Sequence, residues 1–138
     1  MPKRRLKVRF RIPPYEAPRA RWRRAIHELA AQAIRHSAVQ FRSTDKLDIN
    51  VRIYFPGAAL AMHDIDNRLK DIMDALQGHI GGTGKKRRAL PALMPNDSQI
   101  FRATIEKQRP PDQSRGLGHV TIRNYDAVRR RHRRGLVG

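Results

Sequence analysis

The sequence predicts a single α+β domain in which two main helices pack on a mixed sheet of about four strands. Apolar residues alternate with polar ones in four short segments, as in half-buried strands, and recur at helical spacing in two longer ones. The order along the chain is strand, helix, strand, helix, strand, strand. A length of 138 residues is enough for one core and leaves little room for a second.

The first half of the chain supplies three of these elements. Residues 3–12 alternate between apolar and basic side chains, which predicts a strand with one buried and one basic face, ended by Pro13 and Pro14. Apolar residues at helical intervals predict a helix over about residues 21–41. Arginines near its start oppose the helix dipole, so they favour a solvated face or a phosphate contact. Residues 46–55 alternate most regularly and predict the second strand.

The second helix is predicted from an apolar stripe that starts at Ile65 and ends at Leu76. We expect it to begin near Asp66, a residue type that favours the N-cap, and Gly78 follows its end. Residues 79–96 predict a long, mobile basic loop without regular structure.

Two further strands are predicted over residues 98–108 and 119–125. The expected organisation is therefore one domain over residues 1–126 and a basic, flexible tail over residues 127–138.

The chain carries 30 Lys and Arg against 12 Asp and Glu, a formal net charge of +18. So large an excess indicates a polyanionic partner, most obviously a nucleic acid. No segment is apolar enough to span a bilayer or amphipathic enough to anchor at one, so we expect no membrane partner. The N-terminus lacks the apolar region of a signal peptide. Without cysteine, disulfides and thiolate metal sites are excluded, and we expect a cytoplasmic protein.

Four of the twelve acidic residues fall within residues 63–76. Asp64 and Asp66 lie at the expected start of the helix and would share one side if the chain is extended there. Asp97 opens the third strand, so three carboxylates could meet at one end of the sheet. Mg²⁺ would relieve their repulsion and create a hydrolytic site within a basic surface. The alternative is one capping residue and one ordinary exposed carboxylate.

The other charged residues of this helix have simpler interpretations. Lys70 follows Asp66 by one turn, so it either forms an i,i+4 ion pair or stabilises charge on a scissile phosphate. Asp71 falls on another face and is expected to be solvated. Asp74 follows Lys70 by one turn and is expected to orient that lysine.

These residues belong to a longer pattern, DIDNRLKDIMDALQG at residues 64–78 followed by NDSQI at residues 96–100. The pattern resembles the signature of the RusA-type Holliday junction resolvases, and the segment around Pro13, Pro18, Arg19 and Arg21 is less sharply similar. The resemblance covers roughly residues 5–125. It implies a small, homodimeric α+β endonuclease, bacterial or phage-encoded, that makes paired symmetric cuts in four-way DNA junctions with Mg²⁺ or Mn²⁺.

The resemblance also implies roles for single residues. Asp64, Asp66 and Asp97 would be catalytic and bind the metal, and Lys70 would be the essential lysine. The supporting signature positions are Asn67 and Asp74. Two features depart from the family: residues 79–96 form a longer linker than expected, and the basic C-terminal run is not part of the signature.

The sequence thus predicts an endonuclease of DNA recombination and repair whose partner is branched double-stranded DNA. The candidate DNA-binding residues are all cationic: Arg5, Lys7, Arg9, Arg11, Arg19, Arg21, Lys85, Lys86, Arg87, Arg88, Arg130 and Arg131. The main alternative is a non-catalytic, basic nucleic-acid-binding module of the ribosomal-protein kind, which leaves the carboxylate cluster unexplained. A hydrolase of small phosphate esters would need less charge.

Overall fold

A computed structural model describes residues 6–55, 57, 59–62, 64–81, 88–94, 97–111 and 117–126. Two long helices lie on one face of a four-stranded mixed sheet, which confirms the predicted α+β class. The elements are β1 (Lys7–Ile12), α1 (Arg19–Ser37), β2 (Leu47–Tyr54), α2 (Ala59–Met62), α3 (Ile65–Leu76), β3 (His79–Gly81), β4 (Arg88–Ala89), β5 (Ile100–Gln108) and β6 (Gly118–Asn124). In the described part of the chain, no helix has the length and apolarity needed to cross a membrane.

The main sheet has the strand order β1-β6-β2-β5. β6 is antiparallel to both neighbours, and Val120 lies opposite Phe10 on one side and Val51 on the other. β5 is parallel to β2, with Ile105 opposite Val51. β1, β2 and β5 therefore point the same way, and each long helix follows one of these strands as the crossover of a β-α-β unit.

The core lies between the helices and the sheet face that carries the alternating apolar residues. Val8, Ile49 and Ile122 are fully buried on that face. Trp22 of α1 covers them, and its indole Nε1 donates a hydrogen bond to the carbonyl of Pro13 at 3.0 Å. This bond fixes the start of α1 beside the end of β1.

α3 differs from the prediction at its start and agrees with it at its end. The helix begins at Ile65, and the N-cap is Asp64 rather than Asp66. An extended backbone at Asp64 (φ −80°, ψ 124°) is what an N-cap position requires. After the helix, Gly78 adopts a left-handed conformation (φ 85°) and its N–H donates to the carbonyl of Ala75 at 3.0 Å.

The long loop predicted over residues 79–96 contains a short antiparallel hairpin, so the prediction of no regular structure is wrong for β3 and β4. Two backbone hydrogen bonds close its stem. The N–H of Leu90 donates to the carbonyl of Gly78, and that of Leu93 to the carbonyl of Leu76, both at 2.8 Å. Residues 82–87, and the tail predicted over residues 127–138, lie outside the described residues.

The starts of α3 and β5 lie at opposite ends of the sheet. Arg68, in the first half of α3, stacks on Tyr15, which follows the end of β1. Gln99, just before β5, donates to the carbonyl of Asp45 at 2.8 Å, in the loop that leads into β2. Because β1 and β2 are parallel, these contacts mark opposite ends, and the backbone holds residues 64 and 97 apart along the strand direction.

Candidate active site

Two carboxylates are exposed at the start of α3. Asp64 is the N-cap residue, yet its side chain makes no capping hydrogen bond, and Asp66 occupies the first turn. Neither carboxylate forms an ion pair or hydrogen bond with another described residue. Unpaired N–H groups in this turn carry partial positive charge, which favours carboxylates. Both groups are therefore available to a cation.

Asn67 and Lys70 share the exposed side of α3 with Asp66, because residues three and four apart are neighbours on a helix. Within the described part of the chain, the Lys70 ammonium forms no ion pair. Of the two alternatives for Lys70, the i,i+4 ion pair with Asp66 is therefore not formed. Among the described residues no carboxylate compensates the lysine charge, which lies one turn from the exposed carboxylates.

Asp71 was expected to be solvated, and that expectation is wrong, because its side chain is 0% exposed. Its Oδ1 accepts hydrogen bonds from Nε of Arg19 at 2.8 Å and Nε of Arg23 at 2.9 Å. Nη2 of Arg68 lies 3.2 Å from its Oδ2. A buried carboxylate is unfavourable without partners. Asp71 lies on the face of α3 that packs on α1, and α1 supplies two of its three guanidiniums.

Asp74 belongs to the same network. Nη2 of Arg23 lies 3.3 Å from its Oδ2, so Asp74 pairs with Arg23 and not, as predicted, with Lys70. These pairs account for arginines at the start of α1, where the helix dipole disfavours them. The hydrogen bond with Asp71 raises the pKa of Arg19 above its ordinary value. Three guanidiniums against two carboxylates leave one positive charge in excess near the start of α3.

Arg68 is a buried cation directly behind the exposed carboxylates. Its guanidinium lies 3.6 Å from the ring centre of Tyr15 and 5.9 Å from that of Trp22. The side chain is 7% exposed, and its Nε has no hydrogen-bond partner among the described residues. Its backbone N–H donates to the carbonyl of Asp64 at 3.3 Å. Packing against two aromatic rings therefore holds the first turn of α3 in place.

Neither Arg68 nor the role of Asp71 was predicted from the sequence, although one signal for them exists. Arg68, Asp71, Ile72 and Ala75 are the buried positions that precede Leu76 in α3, with the spacing of one helix face. A charged pair on an otherwise apolar stripe, together with a helix that starts with arginines, indicates a buried ion cluster between the two helices.

Asp97 opens the short 3-10 turn before β5, and only its backbone belongs to the described part of the chain. The expectation that three carboxylates meet at one end of the sheet is not met within one chain. β5 is parallel to β2, so it starts where β2 starts, whereas α3 starts beyond the other end of β2. A metal-binding role for Asp97 stays a prediction.

The exposed pair Asp64 and Asp66 fits a hard divalent cation. Among the described residues, no group of three or more His, Cys, Asp or Glu side chains is placed to hold a metal ion. Mg²⁺ commonly takes only one or two protein carboxylates and completes its shell with water and phosphate oxygens. Two exposed carboxylates that have no cationic partner among the described residues meet this requirement, and the metal itself stays a prediction.

The cations predicted to bind DNA occupy more than one surface. Lys7, Arg9 and Arg11 are exposed on the sheet face that carries no described helix. Arg21 is exposed on α1, and Arg19 keeps 43% of its side chain exposed despite its ion pair. Outside the described residues lie Arg5, Lys85, Lys86, Arg87, Arg130, Arg131 and the side chain of Arg88.

His119 of β6 lies among the cations of the sheet face that carries no described helix, here called the uncovered sheet face. Burial is the main cause that lowers its pKa below the ordinary 6.5, and the neighbouring Arg9, Arg52 and Arg11 lower it further. Its ring makes an edge contact with Tyr54, at 6.2 Å between ring centres. The part of the pKa shift that the three arginines cause reflects a positive potential on this face, which suits a phosphate backbone.

Comparison with known families defines the class of protein. The family model described as Endodeoxyribonuclease RusA matches residues 2–82, which is more than half of the 138-residue chain. This class consists of enzymes that cut DNA, and a basic α+β domain with free carboxylates is consistent with it. The chain belongs to the RusA endodeoxyribonuclease family, as its signature predicted. The matched part includes Asp64, Asp66 and Lys70 but ends before Asp97. No curated protein matches the chain.

Proposed function

We propose that this chain is a metal-dependent, structure-selective endonuclease that hydrolyses phosphodiester bonds at four-way DNA junctions by paired, symmetric cuts. Its role would lie in DNA recombination and repair. Family membership supports the class of reaction. The observation that carries the proposal is that Asp64 and Asp66 are exposed, and have no ion-pair partner in the part of the chain that the structure describes, in a protein of net charge +18.

The negative charge of DNA explains why exposed carboxylates and a large positive net charge occur in the same protein. Carboxylates beside DNA repel its phosphates unless a cation lies between them. Mg²⁺ or Mn²⁺ held by Asp64 and Asp66 would supply Lewis-acid stabilisation and an activated water. Lys70, which has no ion pair among the described residues, would donate a hydrogen bond to a phosphate oxygen as negative charge develops. Arg68 and the helix N-terminus add fixed positive potential.

A homodimer suits a junction that offers two equivalent strands, because a twofold axis presents two copies of one site. The chain path gives a second reason for a dimer. Asp64 and Asp97 are separated along the sheet in one chain, so we infer that the third carboxylate of each site is the partner subunit's Asp97. The two ends of the sheet would then both contribute to each metal site.

The exchange Asp66→Asn tests the site. The assay compares a synthetic four-way junction with a linear duplex of the same arm sequence, with Mg²⁺ and with a chelator. We expect junction binding to persist and cleavage to fall at least about 100-fold, as it should for the unaltered chain without metal. Glu28→Gln makes the same charge change at an exposed position of α1 and should leave cleavage intact.

Two results would contradict the proposal. Unchanged cleavage by Asp66→Asn would remove this carboxylate from the reaction. If the unaltered chain binds branched and linear DNA equally and cuts neither, the chain is a binding module without catalysis.

A further inference from the structure

One corner of the uncovered sheet face carries an exposed aromatic side chain. Phe101 is 54% exposed and is the only large apolar side chain with that exposure among the described residues. Its ring centre lies 5.5 Å from that of Tyr125, and Nζ of Lys46 lies 5.3 Å from the Phe101 ring centre. With Arg102, these residues form what we term the aromatic patch: Lys46, Phe101, Arg102 and Tyr125.

A strand irregularity accounts for the position of Phe101. Leu47 pairs with Ile100 and Asp48 pairs with Arg102, so Phe101 is an extra residue in β5. Such a bulge redirects a side chain and is common beside functional sites. Simple alternation along the strand would place Phe101 on one face with Ala103 and Ile105. The bulge instead brings it beside Lys46 and Tyr125.

One cation of the patch, Arg102, is held in place by a covered carboxylate. Nη1 of Arg102 donates to Oδ2 of Asp48 at 3.1 Å, and Nε of Arg123 lies 3.7 Å from the same oxygen. The guanidinium of Arg102 lies 4.7 Å from the ring centre of Tyr125. Asp48 is only 4% exposed, so the surface presents rings and positive charge rather than the carboxylate.

Aromatic rings that lie beside cations can bind a nucleic-acid base together with its phosphate. Bases stack on aromatic side chains while Lys and Arg contact the backbone. Within a duplex, neighbouring pairs cover both faces of each base, so only an unpaired or unstacked base can stack on the patch. A second copy of this chain is a poorer occupant, because a twofold contact would oppose Lys46 and Arg102 to their own copies.

We propose that the aromatic patch binds an unpaired base of the DNA substrate, stacked on Phe101, with adjacent phosphates near Lys46 and Arg102. This inference rests on the proposed function, since it takes DNA as the substrate. It adds a means of recognising branched DNA, where base stacking is interrupted at the point of strand exchange and a base can leave its pair, at the sheet end that also carries Asp97.

The test measures binding of a fluorescein-labelled short oligothymidylate by anisotropy, at low ionic strength without divalent metal. We expect Phe101→Leu, which keeps apolar volume but lacks a ring face, to weaken binding about 10-fold. Phe101→Trp should bind at least as tightly as the unaltered chain. Thr104→Ala, exposed on the same strand, should change nothing.

The salt dependence of oligothymidylate binding distinguishes the contribution of the Phe101 ring from that of the cations. Phe101→Leu should leave the slope of log affinity against log salt unchanged, whereas Lys46→Gln should reduce it by about 1. Equal affinities of the Leu variant and the unaltered chain for oligothymidylate would overturn the proposal, even with normal junction cleavage. If sedimentation shows that Phe101→Leu separates a dimer while affinity per chain is kept, Phe101 is an interface between copies and the proposal fails. The dependence of junction cleavage on Asp66 is measured in a separate assay. Failure of the base-binding inference would therefore not contradict the proposed function.

Discussion

Oδ1 of Asp71 lies 2.9 Å from Nε of Arg23, and no part of that carboxylate is exposed. α1 and α3 are thus joined by a buried ion cluster as well as by apolar packing. A buried ion pair adds little net stability relative to apolar residues, but removal of one partner leaves the other charge without compensation. The cluster lies one to two turns from Asp64, so it helps to set the position of the candidate metal ligands.

The exchange Asp71→Asn should lower the free energy of unfolding by about 3–5 kcal/mol, because it leaves three guanidiniums without their shared carboxylate. Urea denaturation followed by circular dichroism measures the change. Asp74→Asn is the matched control: this side chain is 30% exposed with one ion pair, so we expect less than about 1 kcal/mol. Equal losses in the two variants would contradict a buried cluster centred on Asp71.

The ring of Tyr15 should stabilise Arg68 through a cation–π contact. Tyr15→Leu removes the ring and should lower stability by about 1–2 kcal/mol more than Tyr15→Phe, which keeps it. A double-mutant cycle with Arg68→Met isolates the contact from the lost apolar area. A coupling energy near zero in that cycle would show that the stacking contributes nothing to stability.

Gly78 should be sensitive to any side chain. Both Gly78→Ala and Gly57→Ala place alanine at positive φ (85° and 51°), which costs about 1 kcal/mol. At Gly57 a Cβ meets nothing within 4 Å, whereas at Gly78 it would overlap the carbonyl oxygen of Leu90. We expect Gly78→Ala to lose a further 1–3 kcal/mol or so, because that backbone cannot shift without opening the hairpin stem. Thermal unfolding curves that coincide for the two variants would contradict this expected difference in stability.

His119 should titrate below the ordinary 6.5, since burial and three arginines disfavour its proton. The unfolded chain takes up this proton first, so the His119 contribution to stability is lost as pH falls from 6.5 through the lower pKa of the folded chain. Titration of the imidazole Hε1 signal by NMR measures the midpoint. Added salt should raise it by screening Arg9, Arg52 and Arg11. A midpoint above 6.5, or one that falls with salt, would be inconsistent with the cationic surroundings.

A shared metal site predicts complementation between two inactive variants. In a mixture of Asp66→Asn and Asp97→Asn chains allowed to exchange subunits, each heterodimer would keep one intact site. With half of the dimers mixed, junction cleavage should return to about a quarter of the unaltered level. Sites built within one chain would remain inactive in every dimer, so an absence of recovery, with exchange verified by mass, would exclude sharing.

Local patterns were sufficient for the four strands of the main sheet and for the two long helices, but not for the short hairpin or for α2. Alternation over residues 46–55 predicted β2 to within a residue at each end, because one buried face imposes a period of two. The candidate site carboxylates were predicted from their spacing and from the signature. Asp71 was misjudged because its partners lie on another helix, more than one loop away, and only tertiary packing reveals them.

The register and the direction of the strands could also not be predicted from local sequence patterns. The bulge that turns Phe101 outward depends on how β5 pairs with β2, and a strand's own alternation does not contain that information. For the same reason Asp97 could be assigned to the start of a strand but not to an end of the sheet. A parallel pairing of β2 and β5, rather than an antiparallel one, decides that placement.

The hairpin stem after α3 leaves and rejoins the body of the protein at one point, because Gly78 is bonded to Leu90 and Leu76 to Leu93 through backbone groups alone. At Leu90 and Leu93 any amino acid except proline supplies the N–H group that these bonds need, so the connection between the two strands can gain or lose residues without disturbing the core. This position is therefore where relatives should differ most in length, and where a foreign peptide or fluorophore could be spliced in while the rest of the fold stays intact.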